Sequence, residues 1–150
     1  MVERGIGLVY GGSHVGLMGV LADEVLARGG EVIGVIPRFL VEREIAHRGL
    51  TQLIVVDSMH ERKACMVKHA DAFLALPGGF GTLDELMEAQ SWRQLGLHDK
   101  PIGLLDTAGF YQHLGAFIEH IVTCGFVSAE HARAIRIERD VALMLEALLG

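Results

Sequence analysis

Nine residues near the middle of the chain, Pro77-Gly78-Gly79-Phe80-Gly81-Thr82-Leu83-Asp84-Glu85, have the types and spacing to do chemistry on a phosphorylated molecule. They follow an apolar run, Ala72 to Leu76, short enough to be a buried strand, and lead into a helical pattern beginning near Leu83. A strand, a glycine-rich turn and a helix aim several backbone N–H groups and a positive helix end at one point, which suits phosphate. Asp84 and Glu85, expected in the first helical turn, favour the helix N-terminus electrostatically but would repel a phosphate. The two features agree if the phosphate rests on the glycines while a carboxylate faces another part of the same ligand. That is the layout of a site that breaks a bond in a phosphorylated molecule. A glycine turn capped by Thr82 accounts for the rest of the segment, but not for the extra Pro77-Gly78-Gly79.

Two other strings carry comparable chemistry. In Gly11-Gly12-Ser13-His14-Val15-Gly16-Leu17-Met18-Gly19 the glycines let the backbone approach a ligand closely and Ser13 adds a hydroxyl donor. Taken alone, the string is equally a tight strand-to-helix turn. It is not the dinucleotide-binding fingerprint: the glycine spacing differs, and Glu31 begins the next strand where an acidic residue should end it. In Met59-His60-Glu61-Arg62-Lys63, at the start of a helix, Arg62 shares a face with Met59 and Met66. Its guanidinium therefore leaves a partly apolar face, where an unpaired charge is costly, and a carboxylate or phosphate partner is expected. The competing reading is a solvated charge run, Glu61-Arg62-Lys63.

The elements that must position these strings alternate along the chain. Strands are expected at Ile6 to Tyr10, Glu31 to Ile36, Thr51 to Val56, Ala72 to Leu76, Pro101 to Leu105 and around Ala134 to Ile137. Helices are expected at Leu17 to Ala27, Ser58 to His69, Leu83 to Leu95, Phe110 to Val122 and Val141 to Leu149, with a charged, less regular stretch from Arg38 to Gly49. Uniformly apolar strands alternating with helices indicate a doubly wound α/β domain, a parallel sheet covered on both faces. Ligands bind such sheets at the carboxyl ends of the strands, where the strand order reverses, and both glycine turns are expected at that edge. Met1 to Gly5 reads as the last turn of a helix closed by its C-terminal glycine, which suggests that a strand and helix precede it in the natural fold.

The bulk composition narrows the function further. With 150 residues the chain is read as one domain, residues 1–150, large enough to bury a core. Its net charge of −6 offers no basic stripe for a nucleic-acid backbone, so Arg62 and Lys63 are read as serving one small anion. No apolar run approaches the ~20 residues of a membrane span, and no signal-like region opens the chain; the expectation is a cytoplasmic protein with no membrane or nucleic-acid partner. Cys65 and Cys124 are too few for a disulfide framework, and the eight histidines form no metal motif.

All three strings, in this order, resemble the Lonely guy family of cytokinin-activating phosphoribohydrolases, also described as "possible lysine decarboxylase", and the likeness runs from Gly7 to about Leu149. The resemblance implies hydrolysis of the N-glycosidic bond of an adenine-type nucleoside 5′-monophosphate, giving free base and ribose 5-phosphate without metal or organic cofactor. It places the essential arginine at Arg62 and the essential glutamate at Glu85. It assigns phosphate, ribose and base contacts to Gly11, Gly12, Ser13, Met59, Lys63, Gly78, Gly79, Gly81, Thr82 and Asp84. It further implies a Rossmann-like fold, here expected to lack the family's first strand and helix, and a homodimer with the active site near its interface. Ser13 and Asp84 depart conservatively from the family's usual glycine and glutamate. The alternative of another class is a non-catalytic nucleotide-binding or carrier protein, which has no need of a carboxylate near the glycosidic bond. Lysine decarboxylation finds no support, because Lys63, Lys68 and Lys100 lie in no context for a pyridoxal-phosphate Schiff base.

Overall fold

Short aliphatic runs make strands buried on both faces, as in the most buried of the six strands among the described residues, Val32–Pro37 and Ile102–Leu105. The computed structural model describes residues 1–43 and 45–150. Its contacts fall into two units, Met1–Ala70 and Asp71–Gly150, each built on a three-stranded parallel sheet. The expected parallel α/β architecture is therefore present, with the hydrogen-bonded ladders grouped three and three.

In the first unit β1 (Leu8–Tyr10) pairs with β2 (Val32–Pro37), which pairs with β3 (Gln52–Val56). Helix α1 (Gly16–Ala27) follows β1, the short α2 (Arg38–Val41) follows β2, and α3 (Met59–His69) follows β3. Tyr10, Ala22, Val25 and Val32 form the buried core, with Leu8, Leu21, Leu26 and Leu50 packed against it. The opening residues make a single 3-10 turn, Val2–Arg4, closed by Gly5 at φ 67°, as the C-terminal-glycine reading of Met1 to Gly5 expected.

In the second unit β4 (Phe73–Ala75) pairs with β5 (Ile102–Leu105), which pairs with β6 (Ile135–Glu138). Helices α4 (Phe80–Gln94), α5 (Gln112–Thr123), α6 (Ala129–Arg133) and α7 (Val141–Leu149) surround them. Strand β5 shows why the sheet is covered twice. Ile102 and Leu104 pack with Leu86 and Ala89 of α4 and with Tyr111, whereas Leu105 packs with Met144 and Leu148 of α7. Residue 103, facing α7, is glycine, and a Cβ there would lie 2.5 Å from the Met144 sulfur. The doubly wound pattern is thus explicit in one strand's alternation.

Three boundaries differ from expectation. Helix α4 begins at Phe80 rather than near Leu83. Helix α6 was not expected, because five residues are too few to show a helical period. The stretch after β2 is not merely irregular: it opens with α2, and Ala46 forms an antiparallel bridge with Ser13.

Candidate active site

The glycine loop of the second unit leaves the carboxyl end of β4. Gly79 is the N-cap of α4, and among the described residues no side chain caps that helix. Helices α3, α6 and α7 are capped by Ser58, Ser128 and Asp140. Thr82, expected to cap, instead occupies the third helical position. Its hydroxyl folds over Gly78, where a Cβ would come within 2.2 Å of Oγ1, so glycine is required by close approach. Gly79 and Gly81 are exposed, with no atom within 4 Å of an added Cβ. The first-turn N–H groups of α4 are thus left to solvent or to an anion.

Asp84 and Glu85 correct the expected picture. No acidic residue lies in the first turn of α4; both carboxylates fall in the second turn, so they neither support the helix end nor crowd a phosphate bound there. They also differ from one another. Asp84 is exposed, while Glu85 is half-buried next to the buried Leu86. Glu85 lies three residues after Thr82, about 60° away around the helix and on its face. It stands roughly 9 Å from Gly79 along the axis, and helical side chains lean toward the N-terminus, back toward the loop.

In the first unit the arginine is the centre. Ser58 Oγ accepts from the Glu61 N–H at 3.1 Å, and Glu61 Oε2 accepts from the Asp57 N–H at 3.0 Å, a capping-box arrangement that fixes the start of α3. Glu61 is therefore a structural carboxylate. Arg62 is no part of a solvated run: it is 8% exposed. Its Nε donates to the Val35 carbonyl at 3.1 Å, and Nη1 lies 3.9 Å from the Met59 sulfur. The guanidinium occupies the space above Gly11, where a Cβ would fall 1.9 Å from Nη2. One side chain from α3 thus reaches across β2 to the end of β1. Lys63 is half-buried beside it, and Met59 is exposed at the first position of α3.

The loop after β1 is closed and braced. Gly11, Gly12 and Ser13 are buried. Ser13 Oγ accepts from the Val15 N–H at 3.0 Å, and the Gly12 carbonyl accepts from the His47 N–H at 2.9 Å. His47 Nδ1 accepts from the Gly49 N–H, so its Nε2 donates to Asp23, 2.9 Å away. Tyr10 donates its hydroxyl to the Ser13 carbonyl at 3.1 Å, and burial, with the nearby Asp23 charge, pushes its pKa up to about 12.

Sequence reasoning did not find the residues that hold the two loops: Tyr10 and His47 in the first unit, Asp106 and Tyr111 in the second. Tyr111 donates its hydroxyl to the Leu76 carbonyl at 2.6 Å. Tyr10, His47 and Tyr111 act on backbone carbonyls and Asp106 on a backbone N–H, partners that no side-chain motif records.

The chain matches the sequence profile of the family described as "Possible lysine decarboxylase" over residues 18–148, which include Arg62 and Glu85. This chain belongs to that family. Among its curated relatives, the cytokinin riboside 5'-monophosphate phosphoribohydrolase LOG of Oryza sativa subsp. japonica is 51% identical over 150 residues, covering 97% of this chain and 62% of the rice protein. The cytokinin riboside 5'-monophosphate phosphoribohydrolases LOG1 and LOG2 of Arabidopsis thaliana are 52% identical over 128 residues (85% of this chain, 60% of theirs) and 48% identical over 148 residues (99% and 70%). The chain thus spans about 60% of the length of the first two of these relatives. The family resemblance expected from the three strings is confirmed at this level.

Proposed function

We propose that the chain hydrolyses the N-glycosidic bond of an adenine-type nucleoside 5′-monophosphate, either a cytokinin nucleotide or AMP, releasing free base and ribose 5-phosphate. The observation that carries this reading is the second unit's glycine loop. It delivers an uncapped helix N-terminus for phosphate and, on the same helix, a half-buried glutamate about 9 Å away. About half-identity to relatives named as phosphoribohydrolases supports it.

In this reading Gly78, Gly79, Gly81 and Thr82 bind the phosphate and ribose, and fixing the phosphate holds the anomeric carbon at a set distance from Glu85. Cleavage passes through a state resembling an oxocarbenium ion. The carbon–nitrogen bond breaks with its electron pair going to the base; water adds its oxygen to the anomeric carbon, and its proton ends on the base. Ionised Glu85 stabilises the positive charge and orients the water. In the first unit, Arg62 and Lys63 are the positive charges that the family resemblance assigns to the activity. Gly11, Gly12, Ser13 and Met59 shape the arginine's surroundings, and Asp84, on the exposed side, meets the base. No cofactor enters this chemistry. We assign the protein to the cytoplasm and expect it to act as a homodimer.

The test is incubation of the purified protein with AMP and with isopentenyladenosine monophosphate, following base and ribose 5-phosphate by chromatography. Glu85→Gln should lower kcat at least ~100-fold, as loss of a transition-state charge does, with an unchanged circular dichroism spectrum. A Gln variant that still turns over would remove Glu85 from the mechanism. A pyridoxal-phosphate absorbance band in the purified protein would favour decarboxylation instead.

A further inference from the structure

We propose that Tyr111 is a positioning residue for the glycine loop: its hydroxyl, donating to the Leu76 carbonyl, sets where Pro77, Gly78 and Gly79 leave β4 and so where the N–H groups of α4 meet the ligand. The inference rests on the function proposed above, which makes that loop the phosphate cradle.

Leu76 lies one residue beyond the last ladder position of β4, Ala75 opposite Leu104, and its carbonyl has left the sheet. Pro77 carries no N–H, so the Leu76–Pro77 peptide offers only an acceptor. The Tyr111 hydroxyl meets it at 2.6 Å. That single bond fixes the orientation of the peptide from which the loop begins. At the loop's other end Thr82 packs over Gly78, so the start of the loop is held from both sides.

Tyr111 is itself over-determined, as a positioning group must be. Its ring is 1% exposed and packs in one cluster with Leu86 and Ala89 of α4 and with Ile102 and Leu104 of β5. One side chain therefore touches both the strand end and the helix whose mutual placement forms the cradle. Its N–H donates to Asp106 Oδ1 at 2.7 Å, and Asp106 Oδ2 accepts from Arg139 Nε at 3.1 Å. Asp106 is a buried carboxylate, 5% exposed, at the carboxyl end of β5, and the chemistry proposed above leaves it unused; the clamp explains its burial. The loop between the two residues contains Ala108 at φ 54°, a left-handed conformation that a non-glycine residue adopts only when its surroundings impose it. β4 and β5 are parallel neighbours, so both loops emerge at the same sheet edge.

The experiment uses Tyr111→Phe, which keeps the ring and its packing and removes only the hydroxyl. Ribose 5-phosphate affinity, kcat and KM, amide hydrogen exchange over residues 76–83 and the unfolding midpoint are compared with wild type and with Glu85→Gln. The expected result is about ten-fold weaker ribose 5-phosphate binding and a kcat lower by a similar factor. Exchange should quicken in the loop and not elsewhere. Glu85→Gln should lose turnover yet keep wild-type exchange. Unchanged affinity and unchanged loop exchange in Tyr111→Phe would overturn the proposal. So would a lowered unfolding midpoint with exchange raised evenly along the chain, because the bond would then serve stability alone. If the wild-type protein released no base, the proposed function would fail separately, and loop exchange would still decide the role of Tyr111.

Discussion

Gly11 and Arg62 share one volume. The glycine string after β1 reads as a cradle for a ligand's backbone contacts, but the space at Gly11 is filled by the Arg62 guanidinium, with Nη2 only 1.9 Å from where a Cβ would be. A methyl group there cannot be absorbed by a small rotation, because Nε is tied to the Val35 carbonyl at 3.1 Å. Gly11→Ala should displace the guanidinium by an ångström or so. That should lower kcat/KM by about 100-fold, since misplacement of this size costs that much in a preorganised site, and stability should drop by about 1–3 kcal/mol from overpacking. Steady-state kinetics beside a urea unfolding curve checks both. A variant with wild-type kcat/KM would mean that the arginine's placement is immaterial to activity. That Arg62 leaves a partly apolar face and needs a polar partner was legible in the sequence. The reason for Gly11 was not, because it depends on a contact between residues far apart in the chain.

The elements were legible where local chemistry decides them. Helix α7 begins after Asp140, whose carboxylate caps Leu143 at 2.9 Å, and its expected bounds match the structure. Helix α4 starts earlier than expected because Thr82 looks like a cap and Gly79 does not, yet Thr82 turns to Gly78 instead. The braces on the two loops could not be read, since they run from tyrosine hydroxyls to carbonyl oxygens. At the end of β1 such a brace has a pH signature. The pKa of Tyr10 rises from 10.0 to about 12 in the fold, through burial first and the Asp23 charge second. The folded state therefore holds the phenol proton more tightly than the unfolded chain does. This contribution is complete below pH 10, where both states are protonated. It is lost as pH rises toward 12, because the unfolded chain ionises first and is stabilised by doing so. Chemical denaturation from pH 8 to 12 should show wild-type stability falling more steeply than that of Tyr10→Phe, the difference developing above pH 10. Parallel curves would show that the hydroxyl is not held in the fold.

Across the molecule, the outer stripe of α4 bears on assembly. Phe80, Asp84, Met87, Ser91 and Leu95 recur at helical spacing along it, and the apolar members stand 92%, 38% and 73% exposed. Met87 and Leu95 face outward, and Leu86 and Ala89 take the buried positions of the helix. Exposed apolar residues set in line on one helix are a feature of surfaces that meet a partner. The proposed homodimer would cover such a stripe, and Phe80 and Asp84 would bring the mouth of the glycine loop near the covered region. With a chain mass of 16.3 kDa, light scattering should return about twice that value, and Leu95→Asp should shift it toward the monomer, since burying an unpaired carboxylate in an apolar contact is costly. Base release by the Leu95→Asp variant then separates two designs. Activity lost together with the dimer, and regained at high protein concentration, would mean that the partner completes the site. A monomeric variant with full activity would confine the chemistry to one chain, and a wild-type mass of one chain would remove the dimer from the account altogether.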